Sequence, residues 1–179
     1  MSTTATVPST GPVSARDPRR LGWALVAAAL VLDQATKAAM LPLLTEPPRL
    51  IEIAGFFNLV PVWNRGVSFG LLSSGPEFTR WALTAFALGV SVALGVWLTR
   101  ATRPWLAPGL GLILGGAVGN AVDRIRFGAV FDFIDLHGFG YHWPAFNVAD
   151  SAITVGVVLL LIDSFAGGSA AAPAREDQP

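Results

Sequence analysis

Carboxylates, amides and cations that could take part in catalysis are scattered through an otherwise apolar chain. In chain order, they are Asp33, Lys37, Asn64, Arg65, Asn120, Asp123, Arg124, Asp132, Asn147 and Asp150. Two aspartates that share one proton can activate a water molecule and then protonate a leaving amine, which is the chemistry of aspartic proteases. One must be a carboxylate to take the proton of water, and the other must be protonated to polarise the scissile carbonyl. The residue types therefore allow peptide hydrolysis, but they leave open which two aspartates form the pair.

The cysteine and histidine content argues against several other chemistries. The chain has no cysteine, which excludes a disulfide framework, a thiolate metal site and cysteine-based catalysis. Its two histidines, His137 and His142, do not favour a multi-histidine metal site. We interpret them as interfacial residues because they lie among Phe139, Tyr141 and Trp143. We therefore expect neither a metal nor an organic cofactor.

The composition is that of an integral membrane protein. Of 179 residues, 53% are hydrophobic and 13% are charged, whereas soluble domains carry about 25% charged residues. Twelve basic and twelve acidic residues give a formal net charge of zero, so the chain lacks the basic surface of a nucleic-acid-binding protein. We expect one domain over residues 16–166, with disordered tails at 1–15 and 167–179.

The charge pattern predicts four transmembrane helices, because a span needs about 20 mostly apolar residues. Uncharged runs of 19 residues lie between Arg80 and Arg100 and between Arg103 and Asp123. The two other spans are predicted at 21–41 and 146–166. A cleaved signal peptide is the alternative for the first segment, but no clear small-residue cleavage site follows it, and we favour an uncleaved helix.

Basic residues in the short flanks predict the orientation. Three arginines precede the first helix, and Arg100 and Arg103 lie in the link between helices 2 and 3. We therefore expect both termini in the cytoplasm, and segments 41–76 and 124–146 on the outer side. The arginines in these two outer segments are exceptions to the rule that basic residues concentrate on the cytoplasmic side.

The outer segment between helices 1 and 2 has the composition of a small sheet. Residues 50–53 and 56–63 are rich in β-branched and aromatic side chains, and prolines punctuate them. The fold class is thus an all-α membrane protein of four helices, with a small β-rich outer cradle at about 42–76. We place Asp132 in a short outer link before helix 4. Gly111, Gly115 and Gly119 predict a face of helix 3 that another helix approaches closely.

The polar residues of the different helices are predicted to lie at a similar depth in the membrane. At 1.5 Å per residue, Asp33 lies about 18 Å above the cytoplasmic start of helix 1. Asn120 and Asp123 share a face at the outer end of helix 3, and Asn147 and Asp150 share a face at the outer start of helix 4. Ionisable residues inside membrane spans usually mark a functional site. We therefore predict one site near the outer membrane surface.

Simpler structural roles remain open for several of these residues. Asp33 and Lys37, four residues apart, would neutralise each other. Asp123 and Arg124 would form a structural ion pair at the end of helix 3. Asp150 would be a charge favoured by the N-terminus of helix 4.

Other functions are also compatible with buried polar residues. A transporter or channel subunit would need polar residues along a path across the bilayer, but the inner half of each span is nearly featureless, and we assign no role to Asp163. A structural scaffold would explain the glycines but not the polar cluster. A serine–lysine protease would pair Ser68 or Ser151 with Lys37.

Five motifs in the same order resemble the lipoprotein signal peptidase (signal peptidase II) family, the membrane aspartic proteases of bacteria. They are LDQATK at 32–37, NRGVSFG at 64–70, GGAVGNAVDR at 115–124, VFDFI at 130–134 and FNVADSAI at 146–153. The departures are slight: Val67 and Ser68 replace small, alanine-like residues, and Phe131 replaces the usual valine.

The resemblance implies a function and a set of roles. It implies that Asp132 and Asp150 are the catalytic pair, and that substrate is bound and the pair positioned by Asp33, Lys37, Asn64, Arg65, Asn120, Asp123, Arg124 and Asn147. The implied reaction is cleavage of a prolipoprotein signal peptide immediately before a cysteine that carries diacylglycerol. The implied enzyme is a multi-pass protein of the bacterial plasma membrane, in contact with membrane lipids and active near the outer leaflet. We expect a monomer, since one chain supplies the whole site.

Overall fold

The computed structural model describes residues 17–66 and 76–168, which form four long helices and four strands. In chain order the elements are α1 Pro18–Thr45, β1 Ile51–Ala54, β2 Phe57–Asn64, α2 Pro76–Leu98, α3 Leu106–Phe127, β3 Val130–Gly138, β4 Tyr141–His142 and α4 Val148–Gly168. The tails expected to be disordered lie outside the described residues, except that α4 continues to Gly168.

All four helices are long and apolar enough to cross a membrane, which confirms the predicted spans. Helix α1 begins after Asp17, whose side chain accepts a hydrogen bond from the backbone N–H of Arg19. It continues through Pro42 to Thr45, four residues beyond the predicted end, because packing of its last turn buries Leu44 completely. The cradle therefore begins later than position 42, at Ile51.

Helix α3 is the central helix, and it packs against the other three. All three predicted glycines, Gly111, Gly115 and Gly119, permit this packing. A Cβ at Gly111 would collide with the backbone carbonyl of Gly22 in α1, and a Cβ at Gly119 would lie 2.6 Å from Oδ2 of Asp33. Close approach of α1 and α3 thus brings the polar side chains of both helices into contact.

The sheet is larger than the sequence predicts. Its four antiparallel strands follow the order β1-β2-β3-β4, and the last two come from the segment after α3. The short link predicted around Asp132 is therefore strand β3, in which Asp132 lies opposite Val62 of β2. Pairing of residues 130–136 with β2 explains the difference, because β-branched and aromatic side chains such as those at 130–134 stabilise a strand when a partner strand is available.

A sharp turn connects α3 to β3. Gly128 adopts the left-handed conformation, with φ of 78°, and its N–H donates to the carbonyl of Arg124. Glycine is the usual residue at this position after a helix because it has no Cβ to clash. The turn sends the chain directly from the C-terminal end of α3 into the strand that carries Asp132.

A two-residue loop at the far end of the sheet joins β3 to β4. Its residues Phe139 and Gly140 have φ values of 52° and 81°, and two positive φ values are typical of a type I′ hairpin turn. A non-glycine residue in this conformation costs about 1–2 kcal/mol. The side chain of Phe139 is nevertheless fully exposed.

Candidate active site

The site lies where the C-terminal halves of α1 and α3 and the N-terminal end of α4 meet one end of the sheet. Asp132 comes from β3, and Asp150 from the first turn of α4. The two are joined through one residue: the Nδ2 amide of Asn147 donates to Oδ1 of Asp132 at 2.7 Å, and its backbone N–H donates to Oδ2 of Asp150 at 3.1 Å. The structure thus brings together the two aspartates that the family resemblance selects.

Asn147 and Asp150 form a capping box at the start of α4. The N–H of Asp150 donates to Oδ1 of Asn147 at 3.0 Å, and the carboxylate of Asp150 accepts the N–H of Asn147 in return. This reciprocal arrangement satisfies two N–H groups that have no partner within the helix. Asp150 therefore has the predicted role of a charge at a helix N-terminus, and it also lies in the site.

Asp132 is almost completely buried, with 1% of its surface exposed. Besides Asn147, it accepts a hydrogen bond from Nδ2 of Asn64 at 3.0 Å. Burial raises the pKa of Asp132 to about 6, and the nearby charge of Asp150 adds to the rise. The two amides and Lys37 oppose it. Asp132 can therefore hold or release a proton near neutral pH.

Asn120 connects the aspartate pair to a buried lysine. Its Nδ2 donates to Oδ1 of Asp150 at 2.8 Å. Its Oδ1 accepts hydrogen bonds from Nδ2 of Asn147 at 3.2 Å and from Nζ of Lys37 at 3.1 Å. Both polar atoms of this side chain thus have a partner in the site.

Lys37 is buried between two carboxylates. Its Nζ lies 2.9 Å from Oδ2 of Asp33 and 2.8 Å from Oδ2 of Asp123. The predicted pairing of Asp33 with Lys37 is confirmed. The predicted ion pair of Asp123 with Arg124 is wrong, because adjacent residues on a helix point in different directions, and Asp123 turns toward Lys37.

The carboxylates of Asp33 and Asp123 also hold backbone groups in place. Oδ1 of Asp33 accepts the N–H of Ala149 at 2.9 Å, in the first turn of α4. Oδ2 of Asp123 accepts the N–H of Phe131 at 3.1 Å, in β3. Each of the two buried acids is therefore bound to the element that carries one member of the aspartate pair.

Gln34 completes this network, although it was not among the residues predicted for the site. Its Nε2 lies 3.1 Å from Oδ2 of Asp33, 3.1 Å from Oδ1 of Asp123 and 3.3 Å from the carbonyl of Gly119. The sequence signal that points to Gln34 is its position directly after Asp33, within one of the five motifs.

Arg124 and Arg65 differ in their surroundings. Arg124 is partly buried, and its Nη1 makes one long hydrogen bond of 3.4 Å to the carbonyl of Asn120. Its Nε is buried without a hydrogen-bond partner in the described part of the chain. Arg65 follows β2 and is exposed, next to Asn64, whose Oδ1 accepts the N–H of Gly66.

Two grooves adjoin the site. The larger, of about 540 Å³, is lined by Trp63, Arg65, Glu77, Arg80, Phe127, Gly128 and Ala129. The smaller, of about 360 Å³, is lined by Trp143, Phe146, Asp150, Ser151, Thr154 and Val155. Of these two, the smaller groove reaches a member of the aspartate pair. It is mostly apolar and opens on the exposed side of α4, where Thr154 and Val155 lie.

The serine–lysine alternative finds no geometric support at Ser151. Its hydroxyl donates to the carbonyl of Asn147 at 3.0 Å, while Lys37 is engaged by two carboxylates and an amide oxygen. Ser68 lies outside the described residues. The buried acid at the opposite end of α4, Asp163, is paired with Arg103 and is remote from the site.

Known proteins support the same identification. Residues 25–166 match the family model described as signal peptidase (SPase) II. A lipoprotein signal peptidase of Methylobacterium sp. (strain 4-46) is 52% identical over 148 residues, which cover 82% of this chain and 90% of that protein. The lipoprotein signal peptidase of Caulobacter vibrioides is 48% identical over 151 residues, covering 82% and 89%.

The fold also matches solved structures. One bacterial membrane enzyme superposes with a TM-score of 0.70 at 26% identity, covering 86% of this chain and 93% of the other. A second gives a TM-score of 0.68 at 28% identity, covering 79% and 90%. Family model, sequence relatives and fold agree, and the chain belongs to the signal peptidase II family of membrane aspartic peptidases.

Proposed function

We propose that this peptidase removes signal peptides from prolipoproteins by cutting before a diacylglyceryl-modified cysteine, with Asp132 and Asp150 as its catalytic pair. The observation that carries the assignment is the single asparagine, Asn147, that binds both carboxylates. Family membership supports the class of reaction and the prolipoprotein substrate.

The mechanism follows from the different settings of the two acids. Asp132, whose pKa is raised to about 6, holds the shared proton and polarises the scissile carbonyl. Asp150 takes a proton from water, the resulting hydroxide attacks the carbonyl carbon, and Asp132 transfers its proton to the carbonyl oxygen. When the tetrahedral intermediate collapses, the C–N bond breaks, the amine leaves with the proton held by Asp150, and the carbonyl oxygen returns its proton to Asp132.

Neighbouring polar groups hold the pair and bind the substrate. Asn120 and Asn147 fix the orientation of the carboxylates, which keeps their geometry ready for reaction. Arg124 has an Nε donor with no partner in the described residues, and a guanidinium suits carbonyl or carboxylate oxygens. We assign Arg124 to the substrate backbone, and the exposed Arg65 and Asn64 to the same task at the rim of the site.

The smaller groove suits a substrate that remains anchored in the bilayer. It leads from the exposed, apolar side of α4 to the carboxylate of Asp150. We propose that both termini face the cytoplasm, that the site lies near the outer leaflet, and that one chain acts as a monomer. Cysteines introduced at Ser2 and Glu52 should then be labelled from opposite sides of the membrane; labelling from one side would contradict this topology.

Cleavage by the purified chain tests the function. The substrates are one prolipoprotein with and without the diacylglyceryl group, and product is measured per folded enzyme. We expect cleavage of the lipidated form only, and none by Asp150→Asn, while Glu52→Gln on the exposed face of β1 serves as a control with normal activity. Equal cleavage of both forms would refute lipid-directed specificity.

A further inference from the structure

The far end of the sheet carries a cluster of exposed aromatic side chains. Phe56 in the β1–β2 turn, Phe139 at the hairpin tip, and Tyr141 and Trp143 after it all have more than half of their surface exposed. We refer to these four residues as the aromatic rim. They lie at the opposite end of β3 from Asp132, which is about 20 Å away along the strand at 3.3 Å per residue. Apart from Trp143, which also lines the smaller groove, they play no part in the mechanism proposed above.

The segment that forms most of the aromatic rim contains none of the four permanently charged residue types. Residues 136–146 read LHGFGYHWPAF, with four aromatic residues and no aspartate, glutamate, lysine or arginine. An exposed hairpin in water normally carries charged side chains, since an apolar edge promotes aggregation. The tip also places phenylalanine where the left-handed backbone, with φ of 52°, favours glycine or asparagine. Exposure of an apolar ring to water and the left-handed backbone both make phenylalanine unfavourable at position 139. We therefore expect the ring of Phe139 to have a binding partner.

The aromatic rim continues into a surface that must contact lipid. Trp143 lines a shallow groove with Phe56 and Tyr141, and it also lines the groove that reaches Val155 of α4. Val155 and Val158 are half exposed on a membrane span. The hairpin is tied to the start of this span, because the N–H and carbonyl of Phe146 are hydrogen-bonded to β3.

We propose that the aromatic rim inserts into the headgroup region of the bilayer, and that it holds the sheet flat on the membrane surface. Tyrosine and tryptophan are enriched at this level because one part of the side chain is apolar and the other is polar. The exposed phenylalanine at the tip supplies the deeper contact. The partner is the lipid interface, rather than a protein or a second copy of the chain.

Site-specific labelling measures the depth of the aromatic rim. Since the chain has no cysteine, single cysteines at Phe139→Cys and Tyr141→Cys can carry an environment-sensitive fluorophore on the full-length protein in phosphatidylcholine nanodiscs. Nitroxides on the lipid headgroup, or at a shallow or deep position of the acyl chain, act as quenchers. Glu52→Cys, on the charged and exposed face of β1, is the aqueous control, and Val158→Cys is the control inside the bilayer.

We expect headgroup and shallow nitroxides to quench the labels at 139 and 141 at least about threefold more than the label at 52, as for an aromatic side chain at headgroup level. The deep nitroxide should quench only the label at 158 strongly. Quenching at 139 and 141 no greater than at 52 would overturn the proposal. A label that is shielded from water but insensitive to every lipid nitroxide would assign the aromatic rim to a protein partner and overturn the proposal as well. A disulfide-linked dimer of unlabelled Phe139→Cys would have the same meaning.

Discussion

The carboxylate of Asp33, in the first helix, accepts a hydrogen bond from the backbone N–H of Ala149, in the last. This contact spans 116 positions of the chain and satisfies an N–H that α4 cannot satisfy itself. The same carboxylate is bound to Lys37. Asp33 thus positions the turn that carries Asp150.

Replacement of Asp33 by asparagine should lower stability more than chemistry. Asparagine keeps an oxygen for Ala149 but presents an amide to Lys37, whose remaining carboxylate partner is then Asp123. Breaking one partner of a buried ion pair costs about 3–5 kcal/mol, and the second carboxylate should keep the loss near the lower limit. Thermal unfolding in detergent and single-turnover cleavage by folded enzyme would separate the two effects. A loss of chemistry as large as in Asp150→Asn would contradict this role.

Asparagine at Asp132 or Asp150 should abolish most activity while preserving shape. General acid and base groups contribute about 10²–10⁴-fold each, and members of one catalytic unit are not additive. The double variant should therefore be scarcely worse than either single one. Turnover per folded enzyme is the measurement, with Asp123→Asn as the matched variant. Activity retained in Asp132→Asn but lost in Asp123→Asn would transfer the assignment to Asp123 and Asp150.

The raised pKa of Asp132 predicts a pH dependence for both activity and stability. Because the proposed mechanism requires protonated Asp132 to polarise the carbonyl, kcat/KM should fall about tenfold per pH unit above about 6. For stability, a folded-state pKa above the ordinary value of 3.8 means that the contribution of Asp132 is full below pH 3.8 and is lost as pH rises through about 6.

Melting temperatures of the wild type and Asp132→Asn across this range would test the stability part. Between about pH 4 and pH 7, the melting temperature of the wild type should fall relative to that of the variant. Parallel curves, or a kcat/KM that stays level up to about pH 8, would show that Asp132 does not hold the proton.

Lys37 and Asp123 should be strongly coupled. Lys37→Met leaves two buried carboxylates without a cation, and we expect a loss of about 3–5 kcal/mol or failure to fold. Adding Asp123→Asn removes one of these charges, so the double variant should be more stable than Lys37→Met alone. Unfolding free energies of the four proteins form a double-mutant cycle. Additive losses would refute a direct interaction.

Arg80 of α2 should hold the outer end of α3. Its Nε and Nη2 each lie 2.8 Å from a carbonyl, those of Arg124 and Ile125, just before the turn at Gly128. Arg80→Ala should cost about 1–3 kcal/mol of stability, since it leaves these carbonyls without a charged donor. It should also lower kcat more than it changes KM, because β3, the strand that carries Asp132, begins after this turn.

Arg80→Lys keeps the charge and can still donate to one carbonyl, so it should restore part of the stability and of kcat. An increase in KM alone would instead show that Arg80 contacts the substrate from the larger groove.

The spans could be predicted from the sequence because uncharged runs of 19 residues in so apolar a chain are typical of transmembrane helices. The common depth of Asp33, Asn120 and Asp150 followed from helical rise alone. The ion pairs within that cluster could not be predicted in the same way. Whether Asp123 pairs with Arg124 or with Lys37 depends on how α1 packs against α3, and the sequence pattern does not specify that packing.

The strand at Asp132 and the extension of α1 past Pro42 were missed for a related reason. Both depend on pairing and burial between segments far apart in the chain. The capping box at Asn147 was in reach of sequence reasoning, since asparagine followed three residues later by an acid is a helix-start pattern. That pattern alone is enough to predict a contact between Asn147 and Asp150.

The order of the elements has a consequence during biosynthesis. Asn147 lies directly before α4, and Ala149 and Asp150 lie in its first turn, so the residues that link the two aspartates are translated after α1, α2, α3 and β3. A nascent chain with three helices inserted carries Asp132 without its partner, and Asp33 without the backbone N–H that it binds. With Asp132 and Asp150 as the proposed catalytic pair, we expect proteolytic capacity to arise only once α4 has left the translocon, so that a nascent chain with three helices inserted cannot cleave its neighbours.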